Sequence, residues 1–252
     1  MTSNKSIETS SALSVDCAVF GFDGKSLKVL LIKRRYQYDD LLADDPKLPG
    51  AMILENETLP EAASRVLEEF TGLSNIYLKQ TRIFSNPHRV SEKEMEWICR
   101  FHGINTRRVV TVGYYALVKL NPGIINYTTR KGARWVEVDS VRKLIMDHME
   151  ILADALAALQ AEITHTPVAF ELLPRKFTIH QLQSLFEAVS GVSIDNRNFR
   201  KKILSSGIIS PTGEFEKNVS HKPAQFYVFN KSVFQKAMKE KFKLNFINNW
   251  TY

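Results

Sequence analysis

Cysteine is scarce in this chain: Cys17 and Cys99 are the only two among 252 residues. Two thiols cannot build a disulfide framework or a cysteine-based zinc site, and they fit a reducing compartment. Long uncharged apolar runs are also missing, since none approaches the roughly 18 residues of a membrane span. No membrane partner is therefore expected. The first fourteen residues are polar and lack the basic-then-apolar layout of a secretory signal. No internal repeat or low-complexity tract is visible, and the composition argues against fibrous repeats. What is present, 44% hydrophobic and 24% charged residues, suffices for ordinary packed cores and excludes wholesale disorder. These features predict a soluble, cytoplasmic protein whose length favours two domains over one.

The net charge of +7 is unevenly placed. Residues 1–164 hold 21 Lys/Arg and 21 Asp/Glu, so they sum to zero, while residues 165–252 hold the remaining 13 and 6. Such asymmetry points to a polyanionic partner, nucleic acid before anionic membrane, against the plainer alternative of a solvated basic surface.

The N-terminal part reads as mixed α/β. Val15–Phe22 and Leu27–Lys33 are β-branched runs joined by Asp23-Gly24, a hairpin signal. Thr58 to Phe70 reads as a helix opened by a Thr58-x-x-Glu61 capping box. Val109–Leu120 is apolar at both alternations, which predicts a central strand covered on both faces. Ala133–Val138 reads as a further strand. Apolar residues at helical spacing predict one long amphipathic helix from Val141 to Ile163.

Thr164-His165-Thr166-Pro167 closes that helix, because a residue before proline disfavours the helical region. The charge balance changes there too, so the predicted domains are 1–166, with 1–13 disordered, and 167–252. In the second, a short apolar segment (Val168–Leu173) precedes Thr178-x-x-Gln181, another capping box, opening a helix with Ile179, Leu182, Leu185, Phe186 and Val189 on one side. Gly191–Ile194 has the length of a helix-turn-helix turn. Asp195 then caps a basic helix reaching Ser206, with Gly207 as its stop. Ile208–Ser210, a loop holding Pro211, Gly213 and Lys217–Lys222, and a strand Gln225–Phe229 follow. Helix, turn, basic helix and β-hairpin is the order of a winged helix-turn-helix.

At 100° per residue, Phe199 and Ile203 mark the core side of the basic helix, with Leu204 at its edge. Arg197, Asn198, Lys201, Lys202 and Ser205 point away, and they are residue types that reach phosphates and base edges in a major groove. Asn196 and Arg200 fall nearer the core side, which would let Arg200 brace the fold. In the wing, Lys217, Ser220, His221 and Lys222 are candidates for phosphate contact. His221 has no second His or Cys nearby to share a metal with.

Leu48-Pro49-Gly50, Glu57, Ala62-Ala63, Arg65, Glu69 and Gly72-Leu73 together resemble the Nudix box, the loop-helix-loop signature of Nudix hydrolases. That resemblance implies an α/β/α sandwich in which helix carboxylates hold Mg²⁺ against a diphosphate. Here the position after Arg65 is Val66, the last of the paired glutamates is replaced by Phe70, and the opening glycine is Ala51. Positions 66, 69 and 70 lie at i, i+3 and i+4, the spacing at which three carboxylates converge on a hard cation. With two of them apolar, the expectation is no catalytic residue, no metal site, no cofactor and no hydrolysis, with Glu57 and Arg65 left as an ion pair. Glu68, one position away, is the route by which an atypical enzyme would survive.

A degenerate Nudix domain followed by a winged helix resembles the Nudix-related transcriptional regulators, the NrtR family. The runs Phe177–Gln183, Asp195–Lys202 and Lys222-Pro223-Ala224 are similar to that family's DNA-binding domain. The resemblance implies a homodimer on a palindromic operator in double-stranded DNA, with the Nudix-like domain sensing a small effector. Family members that sense ADP-ribose often carry an Arg-Asp-Pro-Arg-like stretch before the central strand, where this chain reads Ile104-Asn105-Thr106-Arg107-Arg108. That departure favours the sugar-catabolism branch, with L-arabinose as the expected effector and Glu57, Arg65 and Glu69 as candidate pocket residues. The competing expectations are an ADP-ribose-sensing regulator and a Mg²⁺-dependent hydrolase of ADP-ribose or another nucleoside diphosphate derivative.

Overall fold

The computed structural model describes residues 12–33, 45–163 and 166–239. In chain order its first elements are β1 (Ala12–Phe22), β2 (Leu27–Lys33), β3 (Pro46–Lys47), β4 (Gly50–Met52), α1 (Leu59–Thr71), β5 (Tyr77–Phe84), α2 (Glu92–His102), β6 (Val109–Lys119), α3 (Pro122–Arg130), β7 (Ala133–Glu137) and α4 (His148–Ile163). Then come α5 (Ala169–Leu172), β8 (Phe177–Thr178), α6 (Ile179–Ser190), α7 (Asn196–Ser205), β9 (Ile209–Phe215), β10 (Gln225–Phe229) and α8 (Lys231–Lys239).

The first seven strands form one mixed sheet whose main path runs β3-β2-β1-β6-β5, with β4 paired to β1 and β7 to β2. β1 and β6 are its parallel centre, in register from Ala12↔Val109 to Phe22↔Lys119. Both are buried on both faces, which is why their sequences are nearly continuous apolar runs. Odd-numbered β1 residues (Val15, Cys17, Val19) pack with Ala62, Ala63, Val66 and Leu67 of α1. Even-numbered ones (Ala18, Phe20, Phe22) pack with Ile151, Leu152, Ala155 and Leu159 of α4. The sheet is therefore sandwiched between helices.

The C-terminal elements make a three-stranded sheet, β8-β10-β9, beside the helix pair α6–α7. Its interior is aromatic: Phe170 stacks on Phe229 at 3.9 Å, and Phe186 meets Phe199 at 5.9 Å. This interior is not sealed off from the α4 face of the large sheet. One contiguous cluster runs from Phe20 and Tyr115 through Leu159 and Ile163 to Leu182, Phe199 and Phe234. Gln160 on α4 also donates from Nε2 to the Val189 carbonyl on α6 at 2.8 Å. Thr164 and His165, at the predicted domain junction, lie outside the described residues.

Four expectations need correction. Ala12 and Leu13 are not disordered: they begin β1, and Ala12 N–H donates to the Arg108 carbonyl at 2.9 Å; residues 1–11 lie outside the described residues. The long helix begins at His148, seven residues after Val141. Val141 and Leu144 are buried all the same, Met146 adopts φ +48°, and Ile145 N–H donates to the Pro46 carbonyl. Tertiary contacts thus overrode a helical periodicity. β9 continues through Pro211 and Gly213 to Phe215, because Pro211 sits opposite Tyr227 and Gly213 takes φ +78°. Arg200 braces nothing: it is exposed and has no partner among the described residues.

Candidate nucleic-acid interface and effector site

The capping box at Thr178 and Gln181 starts α6, and Gly191, at φ +69°, ends it with its N–H on the Glu187 carbonyl. The turn that follows is pinned by side chains. Gln183 Nε2 donates to the Ile194 carbonyl at 2.9 Å, and Glu187 Oε1 accepts from Ile194 N–H at 2.8 Å. Asp195 Oδ1 accepts from Asn198 N–H at 2.7 Å and opens α7. Phe199 and Ile203, each 1% exposed, fix the rotation of α7 against α6.

That rotation leaves Arg197, Asn198, Arg200, Lys201 and Ser205 in solvent, with Lys202 partly buried at the flank. Ser205 Oγ is turned back onto the Lys202 carbonyl at 3.0 Å, so its proton is spent within the helix. Arg200 is the residue the helical wheel misassigned; it lies to the side of the buried stripe and joins the exposed cations. The connection between β9 and β10 carries Lys217, Ser220, His221 and Lys222, all exposed. Its base is closed by Glu216 N–H on the Ala224 carbonyl (2.9 Å) and Ala224 N–H on Glu216 Oε2 (3.1 Å). His221 Nδ1 lies 3.1 Å from the Lys222 carbonyl. The arrangement presents donors and cations on a helix and a wing, the chemistry that meets phosphates and base edges.

In the sheet domain, Glu57 and Arg65 do pair. Arg65 Nε donates to Glu57 Oε2 at 2.9 Å, and Arg65 Nη2 to Glu57 Oε1 and, at 3.1 Å, to the Met52 carbonyl. Glu57 also accepts from Leu54 N–H at 2.7 Å. Hydrogen bonding from Arg65 holds the Glu57 carboxyl below the usual carboxylate range. Glu69 is exposed on the same helix, and its charge adds to that of Glu57 in raising the Arg65 pKa. Val66 is fully buried, and Phe70 packs on the α1-face core.

These donors do not fit a Mg²⁺ ion. Both Glu57 oxygens are engaged by the guanidinium, positions 66 and 70 offer carbon, Glu61 is held in the capping box at Thr58, and Glu68 and Glu69 are the exposed carboxylates in the C-terminal half of α1. Such a set is far from the near-octahedral oxygen shell the ion demands. Among the described residues, no group of three or more His, Cys, Asp or Glu side chains is placed to hold a metal.

The sequence reading missed a buried polar network on the other face of the sheet. Thr111 Oγ1 donates to Asp16 Oδ2 at 2.7 Å, and Ser14 Oγ lies 2.6 Å from Thr111 Oγ1. Arg89 forms a two-pronged pair with Asp147 (2.7 and 2.6 Å) and approaches Asp16 at 4.0 Å. His148 Nδ1 accepts from Leu48 N–H at 3.1 Å, which leaves its proton on Nε2, 3.7 Å from Asp16 Oδ1. Burial pushes the His148 pKa down, so the ring is neutral. The network reaches the box loop itself, since a Cβ on Gly50 would collide with the Asp16 carboxylate. Its signal was available: Ser14 and Asp16 are polar residues on one alternation of an apolar strand. Beside it opens a cleft of about 450 Å³ that includes Arg82, His88, Arg89 and Asp147. A second cleft, of about 410 Å³, lies between the two units, walled by Phe22, Leu120 and Leu172 with Lys119 and Gln181 at its polar side.

A sheet sandwiched by helices, with a box loop closed by an arginine–glutamate pair, joined to a helix-turn-helix with a β wing, defines a Nudix-like α/β domain carrying a C-terminal winged helix. Residues 169–229 match the family described as the NrtR DNA-binding winged helix domain. Along the chain as a whole, similarity extends to an Acinetobacter baylyi protein named ADPR responsive transcriptional repressor NtrR, 29% identical over 230 residues, covering 89% of this chain and 84% of the relative. The fold is shared with Shewanella oneidensis NrtR complexed with a 27mer DNA (TM-score 0.70, 23% identity, 88% of this chain and 95% of the other). It is shared too with a MutT/nudix family protein from Enterococcus faecalis (TM-score 0.63, 23% identity, 91% of each chain). The expectation of an arabinose-responsive branch gains no support, because the named relative responds to ADPR. Among the described residues, no helix is long and apolar enough to cross a membrane.

Proposed function

We propose that this protein is a DNA-binding transcriptional repressor whose Nudix-like domain senses ADP-ribose or a closely related nucleoside diphosphate, and that it does not hydrolyse it. The observation that carries the reading is the exposed cationic face of α7, held outward by the burial of Phe199 and Ile203, on a chain similar along most of its length to an ADPR-responsive repressor. Arg197, Asn198, Arg200 and Lys201 meet the DNA from α7, and Lys217, Ser220, His221 and Lys222 from the wing. The protein acts as a homodimer on an inverted repeat, in which two copies of α7 enter successive major grooves. Glu57 and Arg65 hold the box loop in shape, and the loss of carboxylates at positions 66 and 70 removes the metal chemistry that turnover requires.

The test is fluorescence anisotropy of the full chain on its own promoter DNA and on random duplex, with and without ADP-ribose or L-arabinose. Specific binding, strongly salt-dependent and altered by ADP-ribose but not by arabinose, is the expected result. Equal affinity for random duplex at physiological salt would remove the regulator reading. A response to arabinose alone would reinstate the sugar. Mg²⁺-dependent release of AMP from ADP-ribose would make Glu68 and Glu69 the carboxylates of an atypical enzyme.

A further inference from the structure

The winged helix keeps its aromatic side chains inside, with one exception. Phe215, the last residue of β9, is 52% exposed and takes part in no ring contact among the described residues. The seven other aromatic residues between positions 169 and 229 are buried or half-buried. A phenyl ring in water is ordinary on a protein surface; what distinguishes this one is where the strand pairing puts it.

Phe215 stands opposite Gln225. Gln225 alternates on β10 with Tyr227, which is buried and donates from its hydroxyl to Gln225 Oε1 at 3.2 Å. Residues directly opposed in a ladder share a face, as do residues two apart on one strand. Phe215 is therefore on the side of the sheet that packs on α6, the side that also holds α7. The ladder slips between Pro211↔Tyr227 and Phe215↔Gln225, where Gly213 takes φ +78°, and bulges of this kind re-aim a side chain.

The carboxylates on either side of the ring are engaged. Glu214 pairs with Lys176 at 2.6 Å, and Glu216 Oε2 accepts from Ala224 N–H at 3.1 Å. Beyond the ring the wing carries Lys217, His221 and Lys222, all exposed and without a carboxylate partner among the described residues. An open apolar ring beside unpaired cations suits the minor groove of a duplex. There an apolar side chain wedges between base steps while the cations hold the backbone.

We propose that Phe215 is a minor-groove wedge: with α7 seated in the major groove, the ring enters the flanking minor groove, partly unstacks one base step in each half-site and kinks the duplex. This rests on the DNA-binding reading given under Proposed function and assigns a residue to sequence selection there. The selection is indirect. Pyrimidine–purine steps such as TA and CA kink more readily than A-tracts, so the step under the ring is chosen by its deformability and not by hydrogen bonds.

The experiment uses the full chain and a duplex from its own promoter, with dyes at both ends for energy transfer and 2-aminopurine placed in turn at each adenine flanking the inverted repeat. Wild type should bend the duplex by about 20–90° and brighten 2-aminopurine at one step in each half-site. Phe215→Ala should lose the bend and the brightening while still preferring this duplex to random DNA through α7. Phe215→Leu, which keeps an apolar wedge, should retain both. Exchanging the step under the ring for an A-tract should weaken wild type and leave Phe215→Ala unchanged. An unchanged melting temperature would show that the variants are folded. A bend and a 2-aminopurine signal that persist in Phe215→Ala overturn the wedge and leave the regulator reading intact, as does specific binding of an unbent duplex by wild type. Equal affinity for random duplex removes the regulator reading and the step selection with it. A fall in the molar mass of Phe215→Ala would make the ring a subunit contact, and would also overturn the wedge.

Discussion

Asn198 stands in the first turn of α7 with its backbone N–H tied to Asp195 and its carboxamide open to solvent. Carboxamides in that position pair with adenine edges, so Asn198→Ala should weaken operator binding by about 1–3 kcal/mol and relax base preference at one position. Lys201→Ala should act differently, lowering affinity on all sequences and reducing the salt slope by about one. Anisotropy titrations at several salt concentrations on matched and mismatched duplexes separate the two. His148 makes a second residue-level prediction. Its folded-state pKa lies below the ordinary value because the ring is buried, so below about pH 6.5 the unfolded chain takes up a proton that the folded chain refuses. Stability should be fully present above that pH and fall as the solution is acidified toward the folded-state pKa. His148→Asn, which keeps an acceptor for Leu48 N–H, should flatten this limb in urea melts recorded between pH 7 and 5. An unchanged limb would assign the acid sensitivity to other groups.

Among the elements, α4 is the helix that touches both the large sheet, at β1, β5 and β6, and α6 of the winged helix. Its N-terminal residue enters the buried network through His148, and Glu150 and Asp154 pair with Arg82 on β5 at 2.5 and 3.0 Å. Near its other end Glu162 accepts from Tyr77 at 2.8 Å and from Tyr115 and Lys79. Burial alone would raise the Glu162 pKa, but these three donors outweigh it and hold the carboxyl ionised. Glu162→Gln should therefore loosen the C-terminal half of α4 and, with it, the last turn of α6. Hydrogen exchange on the full chain reads this as lost amide protection in both, and protection lost in α4 alone would separate the two helices. These elements also show what the sequence disclosed. The central strands and three capped helices were legible because local chemistry, apolar runs, capping boxes and glycine stops, agrees with their tertiary surroundings. The stretch 141–147 was not, since its apolar spacing is helical while Arg89 pins Asp147 and Met146 takes a left-handed turn. The Asp16–Arg89–His148 network was invisible as a site for a related reason: its members are far apart in the chain and meet only across the sheet. Arg200 failed by a small angle, as a residue at the border of a buried stripe turns either way.

At the scale of the whole molecule, one apolar cluster joins the α4 face of the large sheet to the interior of the winged helix. Shared packing of that kind predicts a single cooperative thermal transition for the full chain, not one for each unit. Phe199→Ala, deep in the winged helix, should cost about 3–5 kcal/mol. It should lower the melting temperature reported by sheet-domain tryptophan Trp135 as well as that of the DNA-binding unit. Two separable calorimetric peaks, with only one moved by the substitution, would contradict this. The neutral charge sum of residues 1–164 and the +7 of the remainder sit on either side of this joint, so electrostatic steering toward DNA is delivered by one end of a mechanically continuous body.

The hydrogen bond from Gln160 to the Val189 carbonyl gives that continuity a practical meaning. A carbonyl in the last turn of a helix normally looks to water or to its own chain just beyond for a partner; here α4 supplies it. The winged helix is thus finished by a part belonging to the Nudix-like domain. A chimaera that grafts this winged helix onto a foreign sensing domain should inherit a frayed α6 and weak operator binding. Carrying α4 along with the graft should restore both, so the exchangeable module begins at His148 and not at the proline that follows the helix.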